Sequence, residues 1–318
     1  MAKVILHADL NNFYASVACL HRPDLREVPV AVCGDPARRH GIVLAKNMPA
    51  KRYGIQTGQV LWQAFQLCPR LTTIAPDYRE VSRMSQTVRT IFGRYTDRVQ
   101  PFGIDEAWLD LTAPDMTLEQ GERIANHLRH TVREETGLTV SVGVSDSRVL
   151  AKLGSDLKKP DATTVITREN FRDKVWPLPV TDLLFVGRAS SQVLGQYGVR
   201  TIGDLAAFGR EPLTELLGKM GGQLYDYAAG LEHSPVVPAR ALPPPKSIGN
   251  SITFRRNLVG PEDIRTGVAL LSDSVAARLR KHAMRCATVQ VTIRDPDFRN
   301  ICRQKRLDIP ICTSTELS

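Results

Sequence analysis

Three carboxylates stand in two apolar frames far apart in the chain. The first frame is Val4-Ile5-Leu6-His7-Ala8-Asp9-Leu10-Asn11-Asn12-Phe13-Tyr14, and the second is Phe102-Gly103-Ile104-Asp105-Glu106-Ala107-Trp108-Leu109-Asp110-Leu111. Each reads as a short buried strand interrupted by acid. A buried acid is costly unless something neutralises it. Two such strands side by side would gather Asp9, Asp105 and Glu106, whose charges would then repel one another and hold protons. A divalent cation removes that conflict. Mg²⁺ takes oxygen ligands and leaves positions for substrate phosphates, and two such ions suit a phosphoryl transfer. Alone, each frame has an ordinary reading. An Asp at a strand end commonly caps a turn, and adjacent Asp-Glu residues on one strand point to opposite faces.

The elements that would carry these residues follow from the period of the apolar positions. Residues 3–10 read as a buried strand, with further strands at 28–32 and 41–45 parted by a turn-rich basic segment, 34–40. Residues 46–68 read as largely helical, broken at Gly54 and Gly58. Helices follow at 78–95 and 117–136, a single strand at 99–111, a strand at 138–144, a helix at 147–158 and a strand at 163–167. A sheet with two helices on one face predicts a ferredoxin-like α+β unit. Beyond residue 167 the pattern turns all-helical. There Val186-Gly187-Arg188 and Tyr197-Gly198-Val199-Arg200 have the form of a helix-hairpin-helix. A glycine turn between helices lets backbone N–H groups reach a phosphate, although the same turn also serves as a plain connection. Pro235, Pro238 and Pro243-Pro244-Pro245 mark a semi-rigid linker, 234–245. After it come a strand at 246–254, a helix at 261–283, and strands near 286–294 and 299–307.

At 318 residues the chain exceeds one typical domain, and an apolar share of 42% is enough for packed cores. No apolar run is long enough to span a membrane. Met1-Ala2-Lys3 leads straight into a strand-like run, unlike a signal peptide, so a cytoplasmic location is expected. Six cysteines without Cys-x-x-Cys spacing read as reduced core residues, not as a zinc site. The net charge is +9, and residues 246–318 hold 13 basic against 7 acidic residues, two thirds of the excess. That concentration suits a polyanionic partner.

With their flanks, the two acid frames resemble those of the Y-family (translesion) DNA polymerases. The matching residues are Asp9-Leu10-Asn11-Asn12-Phe13-Tyr14-Ala15-Ser16-Val17 and Gly103-Ile104-Asp105-Glu106-Ala107-Trp108-Leu109-Asp110. A third stretch, Ser141-Val142-Gly143-Val144-Ser145 with Leu150-Ala151-Lys152-Leu153 and Ser155-Asp156-Leu157-Lys158-Lys159-Pro160-Asp161, is similar in the same way. The resemblance runs in order along nearly the whole chain. It implies an α+β multidomain, right-hand polymerase: a ferredoxin-like palm (1–19 and 77–166), small fingers (20–76), a helical thumb (167–233) and, after the linker, an incomplete little finger (246–318).

The resemblance further implies that Asp9, Asp105 and Glu106 are catalytic and bind two Mg²⁺ ions, with the Leu10 carbonyl as a further ligand. Phe13 and Tyr14 would lie beneath the incoming sugar, Tyr14 as a gate against ribonucleotides. Lys159, Lys51 and Arg52 would serve the triphosphate. Gly187, Arg188, Gly198, Arg255, Arg256, Arg294, Arg299 and Arg303 would meet DNA phosphates. Partners would be primer-template DNA and deoxynucleoside triphosphates, handled by a monomer with low fidelity and few additions per encounter, in DNA repair and damage tolerance.

Some positions depart from the family pattern. Met48-Pro49-Ala50-Lys51 replaces a usual Tyr-Glu-Ala-Arg, so the phosphate grip at that corner is weaker or differently built. Arg188 stands where a Gly is common, and Asn12 where an aromatic or Cys is. The little finger of the family has four strands and two helices. The shorter count here predicts a truncated form of a longer protein, and only such a form would carry a clamp-binding tail. Three other functions stay open on residues alone: a catalytically weak or inactive accessory relative, a nucleotidyl cyclase on a similar sheet, and a plain DNA-binding scaffold.

Overall fold

The computed structural model of the protein describes residues 3–35, 37 and 41–318; of the basic segment 34–40, positions 36 and 38–40 lie outside the described residues. The chain forms two compact units, a larger one that includes Val43–Leu242 and a smaller one that includes Pro243–Ser318.

In the larger unit the order is β1 (Ile5–Leu10), α1 (Phe13–Leu20), β2 (Val30–Cys33), β3 (Val43–Lys46), α2 (Met48–Arg52), α3 (Leu61–Leu67), β4 (Thr72–Ile74), α4 (Tyr78–Phe92), β5 (Val99–Phe102), β6 (Glu106–Asp110), α5 (Leu118–Thr136), β7 (Val140–Ser145), α6 (Arg148–Leu157) and β8 (Thr163–Val165). Five helices complete it: α7 (Phe171–Val175), α8 (Arg188–Gln196), α9 (Ile202–Phe208), α10 (Arg210–Leu217) and α11 (Lys219–Ala228). Strands β5-β6-β1-β7-β8 form one sheet, and β3-β2-β4 a smaller one.

The period of two along β1 decides how this sheet is covered. Its even positions, Leu6, Ala8 and Leu10, join Val81, Met84, Val88 and Ile91 of α4 and Ala125, Leu128 and Val132 of α5 in one buried cluster. Both helices are set by side-chain caps. Asp77 accepts from the backbone N–H of Arg79 and Glu80, and Thr117 with Gln120 forms a capping box. The odd positions face α6 instead. Ile5 packs with Trp108 and Ala151 there. Gly143 on β7 makes that approach possible: a Cβ at this position would lie 1.9 Å from the carbonyl oxygen of Ala151. The expected two-helix face is present, and α6 covers the other side.

Several expectations need correction. Residues 99–111 are not one strand but a hairpin, β5 and β6 pairing Phe102 with Glu106. Gly103, at φ 75°, turns the chain there, a conformation that glycine adopts without strain. Helix α1 and strand β4 are additional to the expected elements. The linker is not a free spacer throughout. Val236 is buried with Ile5 and Trp108, the Val237 N–H donates to Gln100 at 2.8 Å, and Arg148 donates to the Pro235 carbonyl at 3.0 Å.

The smaller unit contains α12 (Gly260–Lys281), β9 (Cys286–Arg294), β10 (Asn300–Ile311) and a single turn, α13 (Ser314–Leu317). Among the described residues its sheet has two strands. The strand expected at 246–254 does not form. Side chains of α12 bind two of its polar groups: Asn250 donates to Ser274 at 2.9 Å, and Arg278 to the Gly249 carbonyl at 2.7 Å. Strand β10 runs further than expected, and α13 is a further helical turn.

Candidate active site

Asp9 sits on the face of β1 that looks toward α6, and β1 pairs with β6 so that Asp9 lies opposite Glu106. Asp105 belongs to the preceding turn, which frees it from strand alternation. The two neighbouring acids can therefore serve one place. That turn is fixed on several sides. The Leu10 N–H donates to the Asp105 carbonyl at 3.0 Å, Arg89 donates to the Gly103 carbonyl at 2.7 Å, and the Ser85 hydroxyl donates to the Ile104 carbonyl.

Helix α6 brings the counter-charge. The Lys152 ammonium stands 2.9 Å from Asp9 Oδ2, 2.7 Å from Glu106 Oε2 and 3.2 Å from Asp156 Oδ2. Lys159 lies 2.8 Å from Asp9 Oδ2 and 2.8 Å from Asp156 Oδ1. Asp156 follows Lys152 by one helical turn, the spacing at which side chains meet. His7, fully buried, places Nε2 3.1 Å from Glu106 Oε2 and Nδ1 2.9 Å from the Ser155 hydroxyl.

The acids are pushed apart in acidity. Burial, and then the charges of Asp9 and Glu106, raise Asp105 to about 6. Burial acts upward on Glu106 too, but the close approach of the His7 ring and the Lys152 charge outweigh it and bring the group down to about 2. Burial would lower Lys152, yet Asp9, Asp156 and Glu106 together hold it above the usual lysine range. Burial lowers His7, which keeps its ring neutral despite Glu106.

The donor set fits a divalent metal. Glu106 Oε2 is buried without a well-directed hydrogen bond, and it shares one cation with Asp9 Oδ2. Two carboxylates already converge on a positive charge, and hard oxygen donors suit Mg²⁺. With the lysines in place, no group of three or more His, Cys, Asp or Glu side chains among the described residues stands close enough to hold an ion.

The profile of the impB/mucB/samB family matches residues 8–156, and that of its C-terminal domain matches residues 245–318. DNA polymerase IV of Acetivibrio thermocellus is 48% identical over 318 residues, which is 100% of this chain and 80% of the relative. DNA polymerase IV of Moorella thermoacetica is 39% identical over 304 residues, 95% of this chain and 76% of the relative. The chain belongs to the Y-family DNA polymerases. The fold agrees: a Y-family DNA polymerase chimera of Dbh and Dpo4 superposes with a TM-score of 0.85 at 21% identity, covering 97% of this chain and 89% of that one.

Around the acids of this polymerase, Phe13 and Tyr14 open α1 and have different surroundings. Phe13 is buried in the main core. Tyr14 lies at its margin, edge-on to Phe13 and to Tyr78 with ring centroids 6.0 and 6.2 Å apart. Burial raises its pKa first, followed by the charge of Tyr78 and then of Asp105, so it borders the acid cluster. Lys51 and Arg52 diverge on α2. Arg52 lines a shallow hollow of about 270 Å³ with Tyr53 and Arg70, while Lys51 is close enough to Lys46 to lower its pKa.

The hairpin residues lie as expected between helices, with Gly187 at the N-cap of α8 and Gly198 in the turn before α9. Arg188 opens α8 and is exposed. The arginines of the smaller unit are exposed but differ. Arg256 is bound by Asp263 through both nitrogens, Arg294 donates to Asn300 at 2.9 Å, and Arg303 donates to a neighbouring carbonyl. Arg255 and Arg299 stand in solvent. Three residues join the site that the sequence motifs did not place there, His7, Lys152 and Asp156. Asp156 was legible from its spacing to Lys152 and Lys159. His7 was not, because an isolated histidine in an apolar strand carries no such signal.

Proposed function

We propose that this DNA-directed DNA polymerase joins a deoxynucleotide to a primer 3′ end at Asp9, Asp105 and Glu106. The observation that carries the reading is the convergence of Asp9 and Glu106 on one cation, with Asp105 close enough to be raised by both. These three acids, with the Leu10 carbonyl, would hold two Mg²⁺ ions. When bound, such ions activate a hydroxyl nucleophile and offset charge on a triphosphate. The chain itself contributes position. The fixed turn at Gly103–Asp105 holds one acid, and the β1–β6 register holds the other two. Lys159, beside Asp9, would meet the polyphosphate. Tyr14, at the core margin beside Asp105, would leave no room for a 2′-hydroxyl.

The division into palm (1–19 and 77–166), fingers (20–76), thumb (167–233) and little finger (246–318) fits the element order. Among the described residues the fingers carry only a three-stranded sheet and short helices, so little protein can close over a base pair, and fidelity should be low. Gly187, Arg188, Gly198 and the exposed arginines of the smaller unit would hold DNA phosphates without reading bases. Release after one or a few additions follows from such contacts. No helix among the described residues is long and apolar enough to cross a membrane. We place the enzyme in the cytoplasm as a monomer acting in damage tolerance.

Primer extension tests the reading. Templated addition of deoxynucleotides should require Mg²⁺ and stop on chelation. DNA binding without extension would favour an accessory protein, and cyclic nucleotide release without a primer would favour a cyclase.

A further inference from the structure

His7 precedes Asp9 by two residues on β1, on the same face, and its side chain is wholly enclosed. In register it lies between Trp108 on β6 and Gly143 on β7. Gly143 has no side chain to hold α6 away: a Cβ there would lie 2.6 Å from the Ser155 nitrogen. Ser155 therefore reaches the imidazole, with its Oγ 2.9 Å from Nδ1. Aromatic rings confine the imidazole further. Trp108 stands edge-on with centroids 5.2 Å apart, and Phe102 edge-on at 6.4 Å. Trp108 is itself pinned, since its Nε1–H donates to the Arg148 carbonyl at 2.9 Å and the Arg148 guanidinium lies over its ring.

The other nitrogen of this confined ring faces the acid cluster. Nε2 lies 3.1 Å from Glu106 Oε2. Both atoms are buried, and neither has a well-directed hydrogen bond. Buried polar atoms in that state are rare, and a small turn of the carboxylate satisfies both. An ionised carboxylate only accepts, so the proton that faces it belongs on Nε2. In that tautomer Nδ1 accepts from the Ser155 hydroxyl. The Lys152 carbonyl, 2.7 Å from the same hydroxyl, lies inside α6, where the helix ladder also serves it. Ser155, His7 and Glu106 thus form a chain from α6 through the sheet to one of the candidate metal-binding acids. Its parts are those of a hydroxyl–imidazole–carboxylate triad, but Ser155 is fully buried and cannot attack a substrate. The chain holds rather than reacts.

We propose that His7 is a positioning residue for the polymerase reaction: it sets the Glu106 carboxylate for its divalent cation, and Ser155 sets His7. The inference rests on the polymerase reading above. Outer groups that orient metal ligands are typically worth about 10- to 100-fold in metal affinity or activity.

The test compares wild type, His7→Leu, His7→Gln and Ser155→Ala in the full chain. Mn²⁺ binding is measured by electron paramagnetic resonance on a complex with dideoxy-terminated primer-template and a deoxynucleotide, which cannot react. Single-turnover extension against Mg²⁺ concentration, primer-template affinity and thermal melting are measured beside it. His7→Leu should weaken Mn²⁺ binding, and raise the Mg²⁺ concentration for half-maximal rate, by about tenfold or more. Primer-template affinity should not change. His7→Gln, whose amide N–H can stand near the place of Nε2–H, should restore most of the metal affinity. Ser155→Ala removes only the oxygen that fixes the ring and should shift the metal dependence less, in the same direction. Unchanged Mn²⁺ affinity in His7→Leu, or in Ser155→Ala where His7→Leu does not fold, would overturn the proposal. So would equal losses in His7→Leu and His7→Gln that follow a lowered melting temperature, which would make His7 core packing alone. A wild type that does not extend primers would instead refute the polymerase reading itself.

Discussion

In the larger unit Lys152 is nearly enclosed and lies against Asp9, Glu106 and Asp156; in the smaller unit Arg255, Arg294, Arg299 and Arg303 stand in solvent. The two regions use charge differently. Enclosed charges at 2.7 to 3.2 Å depend on one another, since removing one leaves the rest desolvated and unmatched. Exposed charges are screened by salt and act nearly independently. Under the proposed function, chemistry belongs with the first kind, where positions are fixed, and sequence-independent hold on a polyanion with the second. Single substitutions should have all-or-none effects in one region and graded effects in the other.

The largest effect is expected at Asp9. Asp9→Ala removes one acid of the candidate metal set and one of the two carboxylates, with Asp156, that Lys152 and Lys159 share. The single-turnover rate should fall roughly 10³-fold or more. A loss below tenfold would break the contrast, because the enclosed site would then behave like the exposed one.

Gly143→Ala comes next, and it reads out in stability. The new Cβ would lie 1.9 Å from a backbone carbonyl of α6, which cannot swing aside like a side-chain end. Overpacking of this kind costs about 3 kcal/mol or more. Denaturant unfolding should show the loss, together with poorer extension, since α6 carries Lys152 and Asp156. Wild-type stability in this variant would mean that β7 and α6 are not packed so closely.

How much of this was legible in the sequence depends on the residue. Asp9, Asp105 and Glu106 could be read because charge inside an apolar run is costly and stands out. That Asp105 and Glu106 serve one place could not be derived from residue spacing alone. It depends on the hairpin turn at Gly103, where the expected single strand would have pointed them apart. Lys152 stood out less, because its role comes from the close approach of α6 across Gly143. Residues 246–254 have a strand-like composition but form no strand; Asn250 and the Gly249 carbonyl are held by Ser274 and Arg278 of α12. The register of β1, by contrast, was written in its even apolar positions.

Tyr14→Ala sharpens the comparison from the edge of the enclosed site. Discrimination against ribonucleotides should drop by about tenfold to a hundredfold, with deoxynucleotide use changed much less. Competition between the two nucleotides on one template measures this. Unchanged selectivity would leave Tyr14 as core packing against Phe13 and Tyr78.

The smallest effects are expected in the smaller unit. Arg294→Ala or Arg299→Ala should weaken primer-template binding only a few-fold and lower the salt slope by about 0.9 for each phosphate that is no longer neutralised. Arg256→Ala should change it less, because Asp263 already holds that guanidinium. Products made under a DNA trap should stay short. A flat salt response, or one arginine whose removal abolishes binding, would contradict the graded picture.

The most direct test measures rate and DNA affinity on one protein, the Asp105→Ala/Glu106→Ala variant, with wild type beside it. Single-turnover extension in Mg²⁺ should fall by roughly 10³-fold or more, while the primer-template Kd stays within about threefold. Near-normal extension by this variant would contradict the assignment of chemistry to the enclosed acids. A matching collapse of DNA affinity would contradict the separation of chemistry from hold.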